Sequence, residues 1–254
     1  MYEINQAHPL ISNHAMHWVL SEESYEINRR KNISGWNLME QYSSPDVCIY
    51  QLNKQAIIAF RGTSTRKDII SDIQLSVTGA QTFQKIIPSR ELVEMFLNET
   101  DDSVLVQITG HSLGGAIARI VGNEFNLGVV TFNAAAPPSN PVDSNLFNQV
   151  HYHTVFDIIS AWQNNCIRLD TGIRPPKINK YIINILPKYQ LMLMSSIASA
   201  HSLDNYLASK MLIAVDSLFE EALLDDWFEG LPLGVKNFIR IYLAFKTKKI
   251  PDLQ

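Results

Sequence analysis

The chain has 254 residues, 46% apolar and 18% charged, which is enough to fill a sizeable core and too apolar for disorder. Its net charge of −4 offers no global basic field, so nucleic acid is not expected as a partner. Two cysteines, Cys48 and Cys166, allow one disulfide at most and suggest no metal site, and no apolar run reaches the roughly 18 residues that span a bilayer.

In chain order, the N-terminus lacks a basic stretch followed by a continuous apolar one, so no secretory signal is read there. His14 to Ile27 reads as a helix, with Met16, Val19 and Leu20 on one side and Ser21, Glu22 and Glu23 on the other. Trp36 to Glu40 reads as a further short helix. Val47 to Leu52 and Ala56 to Arg61 are two strands joined by a turn at Asn53–Gln55. Asp68 to Leu75 looks helical, and Thr78-Gly79-Ala80 breaks the pattern. Ser89 is placed to cap a helix carrying Leu92, Val93, Met95 and Phe96. Val104 to Ile108 has the composition of a buried strand, and Ala116, Ile117, Ile120 and Val121 recur at helical spacing after it. Gly128 to Phe132, Val150 to Phe156 and Ile167 to Asp170 are three more strands. Strands alternating with helices imply an α/β fold with a mostly parallel sheet covered on both faces.

Between the strand and the helix stands Gly110-His111-Ser112-Leu113-Gly114, a G-x-S-x-G nucleophile elbow. The turn is so tight that bulkier residues two before and two after the serine collide with neighbouring backbone. It holds the Ser112 hydroxyl at the positive end of the following helix, where developing negative charge is stabilised. A serine hydroxyl is a poor nucleophile alone and needs a general base, itself oriented by a carboxylate. In this class the two follow the serine in the order acid, then histidine. Of the three later histidines, His151 and His153 lie inside a strand and read as structural. His201, at a small-residue junction, is the preferred base. For the acid, Asp157 stands at the carboxyl end of a strand, where open α/β sheets assemble their sites, ahead of Asp170 and Asp143. An oxyanion hole then takes the backbone N–H of Leu113 and a second donor from Phe60-Arg61-Gly62-Thr63-Ser64, with Thr63 offering N–H and hydroxyl.

With these motifs the chain resembles the class 3 lipase family, the fungal-type triacylglycerol lipases and their phospholipase A1-like relatives. Ile108 to Ala118 matches the family's elbow, Phe60 to Ser64 its oxyanion strand, Phe156-Asp157-Ile158-Ile159 its acid segment, and Ala200-His201 with Tyr206 its H-x-x-Y ending. Arg66 to Ile73 is similar to its D-W-x-x-D-L segment. Val129 to Ala134 is similar to its T-F-G-x-P strand, with Asn133-Ala134 in place of the glycine-containing form. The resemblance covers about residues 14 to 206. It implies an α/β-hydrolase fold over residues 1–206 and hydrolysis of acyl esters at lipid interfaces, with Ser112, Asp157 and His201 as catalytic residues, Thr63 and Leu113 at the oxyanion, and no cofactor or metal. Family members carry a lid near Ser64–Ser76, which here is short and charged.

Residues 207–254 are expected to form a helical C-terminal extension. Lys210 to Phe228 reads as helical, and Val235, Phe238, Ile241, Tyr242 and Phe245 share a face flanked by Lys236, Arg240, Lys246, Lys248 and Lys249. That pattern fits either a helix docked on the domain or one lying on an anionic membrane. Likewise, the methionine-rich Tyr189 to Ala198 fits a core helix or an acyl groove. The expected partner is a lipid or other acyl ester, with a cytoplasmic or peripheral-membrane location; export by another route or packaging in a particle stays open. The alternative reading is a catalytically idle lipase-like scaffold that binds membranes or proteins, against which stand Ser112, Asp157, His201 and Thr63.

Overall fold

A computed structural model describes residues 14–63, 80–135, 148–157, 159–160, 166–171, 199–206 and 213–215, with 80–85 and 213–215 described by their backbone alone. The chain enters through α1 (Ala15–Glu23) and forms β1 (Asn32–Ile33), β2 (Trp36–Leu38), β3 (Val47–Leu52) and β4 (Gln55–Phe60). It continues through α2 (Ala80–Glu99), β5 (Leu105–His111), α3 (Leu113–Glu124), β6 (Gly128–Phe132), β7 (Gln149–Thr154), β8 (Ile167–Asp170) and β9 (Ile213–Val215). The nine strands form one sheet in sequential order. Pairing is parallel from β4 to β8 and antiparallel at both margins.

The α2 and α3 crossovers both step the chain in the same direction along the sheet. Right-handed connections of that kind must lie on the same face, and they do. Val93, Phe96, Leu113, Ile117 and Val121 share one buried cluster with Ile58, Phe60, Val106, Ile108 and Val129. The other face is closed by α1, whose Trp18, Val19 and Leu20 pack with Tyr50, Ile57, Ala59, Val130, Phe132 and Tyr152. The strand residues alternate between the two clusters, as a period of two requires.

Several readings of the sequence are corrected. Residues 36–40 do not form a helix: Trp36–Leu38 is a strand paired with β3, followed by a 3-10 turn at Glu40–Tyr42. Ser34 and Gly35, with φ of 51° and 93°, make the two-residue turn that pairs Ile33 with Trp36. Ser89 is not an N-cap, because α2 starts at Ala80 and runs through Pro88. Ile213–Val215, inside a stretch read as helical, pairs antiparallel with β8. The readings on residues 64–79, 136–147, 189–198 and 216–254, including the lid, Asp143 and the C-terminal helices, lie outside the described residues. Among the described residues no helix is long and apolar enough to cross a membrane, and Cys48 and Cys166 are not joined in a disulfide.

Trp18 locks α1 to the far end of the chain. It is 1% exposed, and its indole N–H donates to the Leu203 carbonyl at 3.0 Å. Trp18→Ala is expected to cost about 3–5 kcal/mol of unfolding free energy, measured as a lower urea midpoint at an unchanged m-value.

Candidate active site

Parallel pairing puts the carboxyl ends of β4, β5, β6 and β7 side by side: Phe60 pairs with Gly110, His111 with Phe132, and Phe132 with Tyr152. Each strand then leaves the sheet abruptly. Ser112, Asn133 and Phe156, just past the ends of β5, β6 and β7, have φ of 56°, 46° and 69°. Such backbone costs an L-residue on the order of 1–2 kcal/mol, and its concentration at one edge marks a site where geometry outranks local stability.

The elbow explains its own glycines. A Cβ on Gly110 would stand 2.4 Å from the Gly114 backbone, and one on Gly114 would stand 2.2 Å from the Phe60 carbonyl oxygen. The end of β4 therefore lies directly against the first turn of α3. This brings Gly62 and Thr63 beside the elbow, with a Gly62 Cβ position 2.8 Å from the His111 carbonyl oxygen. Ser112 is half-buried, and its carbonyl accepts from Ala116 N–H at 3.2 Å and Ala135 N–H at 2.9 Å. Leu113 opens α3 and is buried, while Thr63 is half-buried.

His201 and Asp157 meet. His201 Nδ1 lies 3.0 Å from Asp157 Oδ2, and both residues are essentially inaccessible. Burial alone would push the Asp157 carboxyl up. The charge and hydrogen bond of His201, then His153 and the Ser160 hydroxyl, outweigh it and hold the carboxyl below the usual carboxylate range. An ionised carboxylate only accepts, so His201 Nδ1 carries a proton, and in the neutral ring Nε2 is the acceptor. That Nε2 is buried and has no hydrogen-bond partner among the described residues. Of the other acid candidates, Asp170 ends β8 and is not the residue bonded to His201.

The main chain of His201 is held from several strands. Its carbonyl accepts from His111 Nε2–H at 2.8 Å and from Asn133 Nδ2 at 3.1 Å. Ala200 O accepts from Asn133, Asn205 and the Thr154 hydroxyl. Asn133 Oδ1 in turn accepts from Thr154 N–H at 2.9 Å and from the Tyr206 hydroxyl at 3.1 Å. His111 Nε2 donates, so its Nδ1 accepts, and the Tyr25 hydroxyl supplies that proton at 2.9 Å. The Tyr25 oxygen then accepts the backbone N–H of Gly62. One chain of hydrogen bonds thus runs from Gly62, just past β4, through Tyr25 and His111 to His201, with the two imidazole rings 4.7 Å apart.

Tyr25, Asn133 as a polar hub and Ser160 escaped the sequence reading. Asn133 carried a signal, because it replaces a glycine form and asparagine tolerates the left-handed region. Ser160, three residues after Asp157, carried the pattern of an Asx-type turn, in which Asp157 Oδ1 accepts Ile159 N–H at 3.1 Å. His151 and His153 lie in β7 as expected, bonded to Thr131 and Ser160.

An α/β sheet with a strained serine at a strand-to-helix elbow and a buried histidine–aspartate pair beside it is the architecture of a lipase-like protein. The sequence matches the phospholipase-like family described as a Tle-like phospholipase domain over residues 37–209, and the chain belongs to that family. Membership supports hydrolysis of lipid esters in general. No curated protein matches the sequence. Among solved structures, the native lipase–propeptide complex of Rhizomucor miehei is 16% identical with a TM-score of 0.41, covering 63% of this chain and 68% of that one. A mutant form of MDLA from Penicillium cyclopium is 12% identical with a TM-score of 0.40, covering 94% and 98%.

Burial holds the His111 imidazole near a pKa of about 3, helped by neighbouring His201, and the same is true of His17 beside His14 and His151 beside Arg119. In the unfolded chain each takes up its proton near 6.5. The unfolded state therefore binds more protons between these values, and stability falls as pH drops through that window, by up to about 1.4 kcal/mol per pH unit for each histidine. Urea midpoints are expected to fall from pH 7 to pH 5, and His17→Leu to remove roughly a third of that loss. An equal pH slope in His17→Leu would contradict the buried neutral state of His17.

Proposed function

We propose that this chain is a serine-dependent acyl-ester hydrolase of the phospholipase type, with an α/β-hydrolase fold akin to the class 3 lipases, acting on ester lipids presented at a membrane surface. Ser112 is the nucleophile, His201 the general base and Asp157 the orienting acid, with Leu113 and Thr63 as oxyanion donors. The observation that carries this reading is the His201 ring, bonded through Nδ1 to buried Asp157, whose buried Nε2 has no hydrogen-bond partner among the described residues. A buried acceptor without a donor costs about 1–3 kcal/mol, and no packing argument asks for it. It makes sense as the lone pair that takes the Ser112 proton when a substrate carbonyl arrives, since catalytic hydrogen bonds in a resting enzyme are commonly long.

In the first step Ser112 Oγ bonds to the carbonyl carbon and its proton moves to His201 Nε2. Asp157 stabilises the resulting imidazolium without becoming protonated. The carbonyl oxygen, now an anion, takes hydrogen bonds from the N–H of Leu113 and from Thr63, at the positive end of α3. The imidazolium returns its proton to the leaving alcohol or lysolipid as the C–O bond breaks. Water, deprotonated by His201, then bonds to the acyl carbon, the bond to Ser112 Oγ breaks, His201 returns the proton to Oγ, and the fatty acid leaves. The family match favours phospholipid over triacylglycerol as substrate. The idle-scaffold reading has no observation that favours it.

Ser112→Ala is expected to lower kcat on phospholipid vesicles and on p-nitrophenyl esters by on the order of a million-fold, while leaving the folded state intact by circular dichroism. Full hydrolysis by Ser112→Ala would remove the nucleophile assignment. A folded wild type that cleaves no ester in either assay would remove the hydrolase reading.

A further inference from the structure

Asp157 serves more than one imidazole. Its Oδ2 accepts both His201 Nδ1–H, at 3.0 Å, and the Ser160 hydroxyl. Behind Ser160, His153 Nδ1 stands 2.5 Å from Ser160 Oγ. His153 and Ser160 are 2% and 0% exposed. Every proton in it can be assigned. The carboxylate only accepts, so Ser160 must give it its one hydroxyl proton. The oxygen of Ser160 then has only lone pairs to offer, so His153 Nδ1 must carry a proton and donate. The sequence His153 to Ser160 to Asp157, meeting His201 from the other side, therefore runs in one direction up to a shared acceptor.

Two donors on one carboxylate oxygen compete for its electron density, and the effect is large where the surroundings are dry. From this geometry we infer that Ser160 and His153 are positioning residues that set how strongly His201 holds its proton: they load Asp157 Oδ2 and weaken its grip on the His201 ring. They also fix the rotation of the carboxylate, with Ile159 N–H on the opposite oxygen, so that Oδ2 faces the imidazole. Among the described residues, two other polar side chains near the pair have partners of their own. The Tyr206 hydroxyl donates to Asn133, and His111 donates to the His201 carbonyl and accepts from Tyr25. The Ser160–His153 arm links β7 to the carboxylate side of the His201 ring. The inference rests on the reading of His201 as the general base, since only a base has a functional proton affinity to set.

The test follows the protonation of His201 in the full chain by NMR of nitrogen-15-labelled histidine, with His201→Gln identifying its signals, alongside the pH profile of kcat/KM on a soluble p-nitrophenyl ester. The variants are Ser160→Ala, His153→Phe, and His153→Asn, which keeps an N–H near the Nδ1 position. Losing one hydrogen bond to the charged carboxylate should strengthen the hold of Asp157 on the imidazolium. In Ser160→Ala the pH at which His201 takes up a proton should rise by about one unit, a tenfold gain in proton affinity, and the acidic limb of kcat/KM should rise with it. His153→Phe should move both in the same direction by a smaller step, and His153→Asn should return them to the wild-type position. A residue that merely caps the turn after Asp157 would alter melting and leave both midpoints in place. Unmoved midpoints in folded Ser160→Ala, or in folded His153→Phe should Ser160→Ala not fold, overturn the inference and leave the hydrolase reading standing. If the wild type cleaves no ester while the NMR midpoints shift as stated, the proton network stands and the hydrolase reading falls.

Discussion

The carbonyl oxygen of His201 is the point on which the site hangs. His201 lies ninety residues beyond His111 in the chain, and no strand carries it. It is held because His111 and Asn133, at the ends of β5 and β6, both donate to that one oxygen, while Thr154, at the end of β7, takes the neighbouring carbonyl of Ala200. Three adjacent parallel strands thus each contribute at least one hydrogen bond to a segment that none of them contains. The register of the sheet, which pairs His111 with Phe132 and Phe132 with Tyr152, makes this geometry available. A slip of one residue in any pairing would send these side chains to the opposite face and release the histidine.

The arrangement is costly, and the cost is localised. Ser112, Asn133 and Phe156 adopt positive φ at successive strand ends, and the pair His201–Asp157 is wholly buried. Stability must come from the two apolar layers on either side of the sheet, where Trp18, Tyr50, Phe60, Phe96, Phe132 and Ile58 are nearly all inaccessible. A folded sheet that is rigid independently of the site can tolerate strain at its carboxyl edge. The polar network also assigns its own protons. Acceptor-only carbonyls and carboxylates at its ends fix the tautomers of His111, His153 and His201, so burial leaves no ambiguity about which nitrogen faces which partner.

Much of this was legible in the sequence because it is local. The elbow, its flanking strand and helix, and the strands at Val47–Leu52, Ala56–Arg61 and Gly128–Phe132 follow from spacing and from glycine positions. The pairing of His201 with Asp157 rather than Asp170 or Asp143 followed from chain order and strand-end placement. The errors have physical reasons. Trp36–Leu38 is too short to show a period, and the deciding signal was the Ser34-Gly35 turn before it, whose two positive φ values close a hairpin. Ser89 has the side chain of an N-cap, so the helix was begun there, yet the backbone is helical from Ala80 and runs through Pro88. Ile213–Val215 is a strand because β8 offers it an edge, and no residue in it announces that edge. The network around His201 was not legible, since Tyr25 to His111 and Asn133 to His201 span 86 and 68 residues and depend on sheet register alone.

The replacement of a glycine form by Asn133 joins these threads. At the end of β6 the chain must take φ of 46° to turn off the sheet, which explains why glycine would fit there. Asparagine accepts the same conformation at a small cost and brings a donor and an acceptor to the centre of the site. Its amide N–H groups hold His201 and Ala200, and its oxygen gathers Thr154 and Tyr206. A glycine at this position would keep the turn and lose all of these bonds. In this chain the strand end that needs an unusual backbone is therefore also the place from which the histidine segment is tied down, and the Trp18 indole on Leu203 secures the same segment from the opposite layer. The histidine segment is thus held by the sheet edge and by α1 together.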